Sequence, residues 1–200
     1  MHLVEYLNTV YSTKCICQVF IFGFMSLVHA ILVSLADCPK SGYDLARIFD
    51  GSVGFFWKAT HQQIYRELTK LDDMGWIYAQ NIEQAGRPDK KLYSLSEEGT
   101  SQLKQWLYQP CDLSVTKEEL LLKVFAGHLI EPKAIVKEIQ RHRQLHAEKL
   151  AVYQNIEQQY YQNPQCLQDS GKFQYLTLLC GIGFETAWID WCDRAVELLI

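Results

Sequence analysis

The chain has 200 residues, of which 48% are hydrophobic, so it can bury a substantial core in one domain or in two small ones. Its formal net charge of −4 excludes a protein that binds nucleic acid through a strongly basic overall charge, so any such contact must come from local basic clusters. The seven cysteines are odd in number and irregularly spaced, which argues against a disulfide-bonded secreted domain and predicts a reducing, cytoplasmic location.

An uncharged run at residues 16–36 raises the question of a membrane segment, because about 20 apolar residues suffice to span a bilayer. Four polar side chains dilute the run: Gln18, Ser26, His29 and Ser34. A turn and a capped helix start follow it directly, as expected for a buried helix of a globular domain. We therefore predict that residues 1–24 are an upstream extension, that the domain starts at Met25 and that there is no membrane contact. A membrane-anchored protein is the alternative.

Residues that typically start and end helices divide the segment 25–110 into three short helices, a hairpin and a fourth helix. Ser41 and Asp44 have the spacing of a capping box at the start of the second helix, and Thr60 and Gln63 have it at the start of the third. Glycines mark the expected ends of both helices. Helices are predicted over 26–36, between 41 and 51, between 60 and 75 and over 96–109, and strands over 76–82 and 91–95.

The third helix is predicted to have one apolar and one polar face. Ile64, Leu68 and Leu71 lie at i, i+4 and i+7 and form the apolar stripe. The opposite face is polar, which by itself is typical of any solvated helix. Three short helices followed by a hairpin with a basic tip are, however, typical of a winged helix-turn-helix. In that fold the third helix enters the major groove of DNA and the hairpin, or wing, reaches the backbone.

This interpretation assigns roles to individual side chains. Gln62 can pair with adenine and Arg66 with guanine, each worth about 1–3 kcal/mol of discrimination. Thr60 and the basic residues of the wing are predicted to position the protein on the phosphates. The predicted DNA contacts are Ser41, Tyr43, Thr60, His61, Gln62, Gln63, Tyr65, Arg66, Lys70, Arg87, Lys90 and Lys91.

Three stretches resemble the PadR family of transcriptional regulators. They are PKSGYDL at 39–45, WKATHQQIY at 57–65, and GRPDKKLYSLSEEG at 86–99. The family pattern usually has Pro directly after the tyrosine of the second stretch, where this chain has Arg66, so base preference cannot be carried over. KEELLLKVFAG at 117–127 is similar to the AphA-like subgroup. The resemblance implies a homodimer that binds operator DNA on a pseudo-palindrome, usually as a repressor.

The second half, residues 111–200, is predicted to be a helical dimerisation domain. Pro132 is well placed to open a long helix to about residue 162, and a last helix is predicted over 172–199. The long helix carries a seam at alternating steps of four and three that polar residues interrupt, which favours contact with a partner. Gly181 and Gly183 predict a close backbone approach in the last helix. The predicted dimer contacts are Ile135, Ile139, Tyr153, Ile156, Leu176, Gly183, Trp188 and Trp191.

Two further interpretations concern ligands. His142 and His146 have metal-ligand spacing on one helix face, which would make a metal-responsive regulator, although no third ligand has fixed spacing. The five tryptophans could line a pocket for a small aromatic effector or could be ordinary core residues. No motif for a nucleophile, a phosphate loop or a cofactor is present, so we predict neither an enzyme nor a bound cofactor.

Overall fold

The computed structural model describes residues 27–51, 53–83, 90–113 and 117–200. The chain divides into two compact units, with the boundary between Asp112 and Leu113. Both units are mainly α-helical, and the first also holds a small antiparallel sheet. The predicted fold class is thereby confirmed. The predicted extension at 1–24, the predicted start at Met25 and the predicted contact Arg87 lie outside the described residues.

The predicted helices and the predicted hairpin of the first unit are present in the predicted order. Its helices are residues 27–35 (α1), Gly42–Asp50 (α2), His61–Asp73 (α3) and Glu97–Leu107 (α4), and its strands are Lys40–Ser41 (β1), Ile77–Ile82 (β2) and Lys90–Leu95 (β3). The strand β3 lies between β1 and β2 and is antiparallel to both. The two-residue strand β1 was not predicted, since a strand of that length has no periodic pattern.

Local capping chemistry explains where these helices begin and end. Both predicted capping boxes are present, Ser41 with Asp44 at α2 and Thr60 with Gln63 at α3. Directly after α3, Gly75 has a φ of 70°, in the left-handed region that side chains avoid, and so it turns the chain into β2.

The core of the first unit draws on every helix and on the sheet. Ile31, Leu32 and Leu35 of α1 are buried in it, so this part of the uncharged run belongs to a globular core and needs no membrane to cover it. Within the described residues, no helix combines the length and the apolar character needed to span a bilayer. The buried residues of this core are Ile31, Leu32, Leu35, Leu45, Ala46, Phe49, Ile64, Leu68, Leu71, Ile77, Tyr93 and Leu103.

The second unit is built around two long helices that pack along each other. Pro132 opens the first of them, as predicted. A short helix packs beside them. The small core of the unit is formed by Leu120, Ile135, Ile139 and Cys192, and Trp188 and Trp191 pack against it. The helices are Glu119–Phe125 (α5), Pro132–Tyr160 (α6) and Asp169–Leu199 (α7).

Three residues predicted as dimer contacts on α6 pack within their own chain. Ile135, Ile139 and Tyr153 are buried in a single chain and so present little surface to a partner. Apolar residues spaced three and four apart indicate a helix face that packs against another helix. The spacing does not indicate whether that helix belongs to the same chain or to a partner. The ring of Tyr153 lies against Gly181, where a Cβ would be 3.0 Å from Cε2, so the predicted close approach at Gly181 is made by a side chain of the same unit.

Candidate nucleic-acid interface

The helix α3 is anchored by one face and presents the other. Ile64, Leu68 and Leu71 are completely buried, which confirms the predicted apolar stripe. Gln62, Tyr65 and Arg66 of the opposite face are exposed, as are His61 and Gln63 in the first turn. Because the stripe cannot rotate out of the core without exposing three large side chains, the orientation of the polar face is fixed.

The first turn of α3 is held by a reciprocal pair of hydrogen bonds. The backbone N–H of Gln63 donates to the Thr60 hydroxyl at 3.2 Å, and the backbone N–H of Thr60 donates to Gln63 Oε1 at 2.8 Å. Both residues are exposed, so this capping box lies at the surface that the helix presents. Its contribution to stability is about 1 kcal/mol, and it rigidifies the turn that carries His61 and Gln62.

Ser41 is the buried N-cap residue of α2. It is buried, and its hydroxyl donates to Asp44 Oδ2 at 2.7 Å while accepting from the Asp44 backbone N–H at 3.1 Å. Its hydroxyl is thus engaged in the cap of α2, since the residue types that bind phosphate are also the preferred helix caps, and its contact with DNA stays a prediction. Tyr43, the next predicted contact along the chain, is largely exposed.

The lysines predicted at the wing tip lie within β3 and pair with carboxylates. Lys90 Nζ is 3.1 Å from Asp44 Oδ2, and Lys91 Nζ is 3.5 Å from Asp72 Oδ2. The hydrogen bond from the Ser41 side chain, followed by that from Lys90, holds the pKa of Asp44 below its usual value. Asp44 thus serves the cap of α2 and the base of the wing at once, which positions the two elements relative to each other.

Three further side chains of this surface also have acidic neighbours. His61 Nε2 is 2.9 Å from Asp50 Oδ2, which links the first residue of α3 to the last residue of α2. Lys70 Nζ is 2.8 Å from Glu67 Oε1, and Arg66 Nε is 3.9 Å from the same oxygen.

Glu67 is a residue that the sequence interpretation missed. It is buried, with 2% of its surface exposed, and it lies between the polar face and the apolar stripe of α3. The signal was present in the sequence, because position 67 is three residues after Ile64 and therefore belongs to the same face as the stripe. A buried carboxylate there draws Lys70, and more weakly Arg66, toward the body of the unit.

The predicted dimer contacts that remain at the surface lie on α7. Leu176 and Gly183 are exposed, and a Cβ at Gly183 would meet nothing within 4 Å, so the close approach predicted for it is not made within the described chain. Ile156, Trp188 and Trp191 are partly buried. The face of α7 that points away from α6 is thus apolar and uncovered, with Leu176, Leu179, Cys180, Gly183, Ala187 and Leu198 along it.

A polar cluster lies between α6 and α7 around His146, one of the two histidines with metal-ligand spacing. The Nδ1 atom of His146 contacts Glu185 Oε2, and its ring stacks on Trp188 with centroids 4.9 Å apart. Lys149 Nζ lies 3.7 Å from Glu185 Oε1. In the described ranges no set of three His, Cys, Asp or Glu side chains is placed to hold a metal ion. His146 thus compensates a buried carboxylate, and the metal-responsive interpretation finds no site there.

The five tryptophans are divided between the two cores. Trp57, Trp76 and Trp106 pack against the core of the first unit, and Trp188 and Trp191 pack against that of the second. No pocket within one unit is therefore lined by all five tryptophans. Each packs against a core, as ordinary core tryptophans do.

An exposed, capped and rigidly anchored helix beside a two-stranded wing defines the class of winged-helix proteins. Two sequence families match the chain, the PadR-like family of transcriptional regulators over residues 31–105 and the C-terminal domain of virulence activator alpha over residues 116–199. A probable transcriptional regulator of Mycobacterium tuberculosis, Rv1176c, is 37% identical over 187 residues, which are 88% of this chain and 98% of the relative. The chain belongs to the PadR-like family of transcriptional regulators.

Solved structures agree with this assignment. The virulence activator AphA of Vibrio cholerae has a TM-score of 0.72 and 32% identity, with 87% of this chain and 98% of that chain covered. The PadR protein of Bacillus subtilis in complex with operator DNA has a TM-score of 0.79 and 26% identity over 86% of this chain and 98% of that one. That protein, a negative transcriptional regulator, is also known in complex with p-coumaric acid. Its sequence is 41% identical over 101 residues, 50% of this chain and 55% of its own length.

Proposed function

We propose that this regulator binds operator DNA as a homodimer and represses transcription. The observation that carries the proposal is the outer face of α3, where Gln62, Tyr65 and Arg66 are exposed on a helix that its buried stripe and its capping box hold in place. DNA binding is assigned to residues 25–110 and dimerisation to residues 111–200. A protein that reads operator DNA works beside the chromosome, so we place it in the cytoplasm.

The experiment that tests this function is selection of bound fragments from the host genome with the full chain. The best fragment is then titrated at two salt concentrations. We expect a pseudo-palindrome whose half-sites lie about 34 Å apart, one turn of DNA, and a steep loss of affinity as salt increases. If folded, dimeric protein enriches no fragment, the proposal is wrong.

Replacing Arg66 and replacing a wing lysine are expected to have different consequences. Arg66→Ala should relax base preference by about 1–3 kcal/mol at one position of each half-site, because it removes a reader of base edges. Lys91→Ala should weaken all sequences evenly and flatten the dependence of log K on log salt by about one unit for each phosphate that is no longer neutralised.

Both effects are measured by titrating the selected duplex and single-base variants of it. Lys104→Ala is the matched control, because it removes an equal charge from an exposed position of α4, outside the proposed interface. The assignment of reader and positioner is reversed if Lys91→Ala changes base preference and Arg66→Ala does not.

The uncovered face of α7 supports the dimer. It presents Leu176, which is 59% exposed and points away from α6, so a second copy gives it an apolar partner. Leu176→Glu should shift the protein toward the monomer in light scattering, and it should weaken operator binding because two half-sites are no longer read together. Gln174→Glu adds the same charge on the other side of the helix and should leave the mass unchanged. Equal masses for both variants would exclude this face.

A response to a small aromatic effector is the second part of the proposal. It is supported by the p-coumaric acid complex of Bacillus subtilis PadR, to which this chain is 25% identical over 88% of its length. In this chain Phe184 is half-exposed beside the stacked rings of His146 and Trp188. The same titration, repeated with p-coumaric acid, should show release of DNA. Unchanged affinity at saturating acid would exclude this effector.

A further inference from the structure

Gly42, the first residue of α2, is not required by the backbone. Its φ is not positive, since Gly75 alone has a positive φ among the described glycines. Alanine is also a better helix former than glycine, so a glycine at this position weakens the helix. The reason for Gly42 must therefore lie in what packs against it.

The ring of Tyr65 occupies the space that a side chain at position 42 would need. A Cβ built on Gly42 would lie 2.4 Å from Tyr65 Cε1, 2.9 Å from Cζ and 3.1 Å from the hydroxyl oxygen. Gly42 itself is buried, whereas Tyr65 is 47% exposed. The tyrosine therefore has one edge of its ring seated against the start of α2 and the remainder on the outer face of α3.

We propose that Gly42 is a positioning residue for DNA recognition, because it seats the Tyr65 ring and so fixes its hydroxyl toward a DNA phosphate. The inference rests on the proposed function of α3 as the DNA-contacting helix. Tyrosine hydroxyls are among the groups that donate to phosphate oxygens, and a donor held in one place loses less freedom on binding.

Gly42→Ala should displace the tyrosine without unfolding the protein. The atoms that would clash belong to the far end of a half-exposed side chain, which can rotate away at low cost, and no backbone atom is among the nearest neighbours. We therefore expect an unchanged melting temperature and about tenfold weaker binding, the loss of one hydrogen bond to a charged group. Because phosphate carries no sequence information, the loss should be equal on the selected duplex and on a scrambled duplex of the same length.

The test is a double-mutant cycle in the full chain with Gly42→Ala, Tyr65→Phe and both together, titrated against these two duplexes. Tyr65→Phe should lose the same affinity as Gly42→Ala, and the double variant should lose no more than either, because both changes remove one contact. Gly171→Ala is the control, a glycine in the first turn of α7 whose nearest neighbour, Leu167 Cβ, leaves an ordinary distance of 3.5 Å. It should bind both duplexes with wild-type affinity.

Three results would overturn the inference: wild-type affinity for Gly42→Ala, additive losses in the double variant, or a loss confined to the selected duplex. If Gly42→Ala lowers the melting temperature, the double variant Gly42→Ala with Tyr65→Ala must restore it, because the smaller side chain at position 65 frees the space. A melting temperature that stays low in this double variant also overturns the inference. A wild-type chain that binds neither duplex refutes the proposed function, and the inference with it. A wild-type chain that binds, with Gly42→Ala binding equally, refutes the inference alone.

Discussion

Gly99→Ala is expected to destabilise the first unit by about 3 kcal/mol or more, despite the better helix propensity of alanine. Gly99 is the third residue of α4, and a Cβ there would lie 1.9 Å from the backbone carbonyl oxygen of Trp76. That oxygen accepts a hydrogen bond from the Ser96 backbone N–H at 3.0 Å. The bond joins the residue before β2 to the N-cap residue of α4. Because the obstacle is backbone, no side-chain rotation relieves the clash, and the base of the wing must shift.

The measurement is denaturant unfolding, with the transition of the first unit followed separately, since two units need not unfold together. Gly171→Ala is a well-matched control, because Gly171 is likewise the third residue of its helix but has no neighbour within 3.4 Å of the added Cβ. It should keep or raise stability. Equal stability of Gly99→Ala and the wild type would show that α4 does not pack on Trp76 as described.

His146→Ala is expected to cost the second unit about 3 kcal/mol, because it leaves a buried carboxylate poorly compensated. Glu185 is 3% exposed, and its second neighbour, Lys149, is more distant and largely exposed. The substitution also removes the ring that stacks on Trp188. The free energy of unfolding of the second unit, with its transition followed separately from that of the first, measures the loss.

The neighbouring histidine provides the control for this prediction. His142→Ala removes a ring that lies 3.5 Å from Glu138, a carboxylate nearer the surface, so it should cost less than about 1 kcal/mol. Combining His146→Ala with Glu185→Gln should recover part of the loss, because the charge is then absent. No recovery would mean that packing on Trp188, and not the buried charge, accounts for the effect.

Much of the first unit could be predicted because its determinants are local. The capping boxes at Ser41 and Thr60 span four residues each, and the stripe of α3 spans two turns, so both can be read directly from spacing. The partners of Lys90 and Lys91 could not be predicted in this way. Asp44 and Asp72 lie 46 and 19 positions away along the chain, and only the packing of α2, α3 and β3 brings them together.

The face of α7 proposed for dimerisation shows a second limit of sequence patterns. The seam through Ile139 and Tyr153 and the face through Leu176 and Gly183 have similar spacing, yet the first is covered by the same chain and the second is exposed. The periodicity of apolar residues predicts that a helix face is buried, but it does not predict which helix buries it. Glu67 was not among the predicted residues, although its spacing from Ile64 places it on the same side of α3 as the apolar stripe.

The carboxylates beside Lys90, Lys91 and His61 have a consequence for how such a regulator searches a genome. A chromosome offers about 10⁶–10⁹ competing sites, so occupancy of the operator depends on the ratio of specific to non-specific affinity. Under the proposed function, Lys90 and Lys91 must each exchange an intramolecular carboxylate for a phosphate, and the free energy of that exchange is the same at every sequence. This uniform cost leaves that ratio unchanged and lowers the affinity for every sequence alike, so under the proposed function the acidic residues shorten the time that the protein spends at each site it samples.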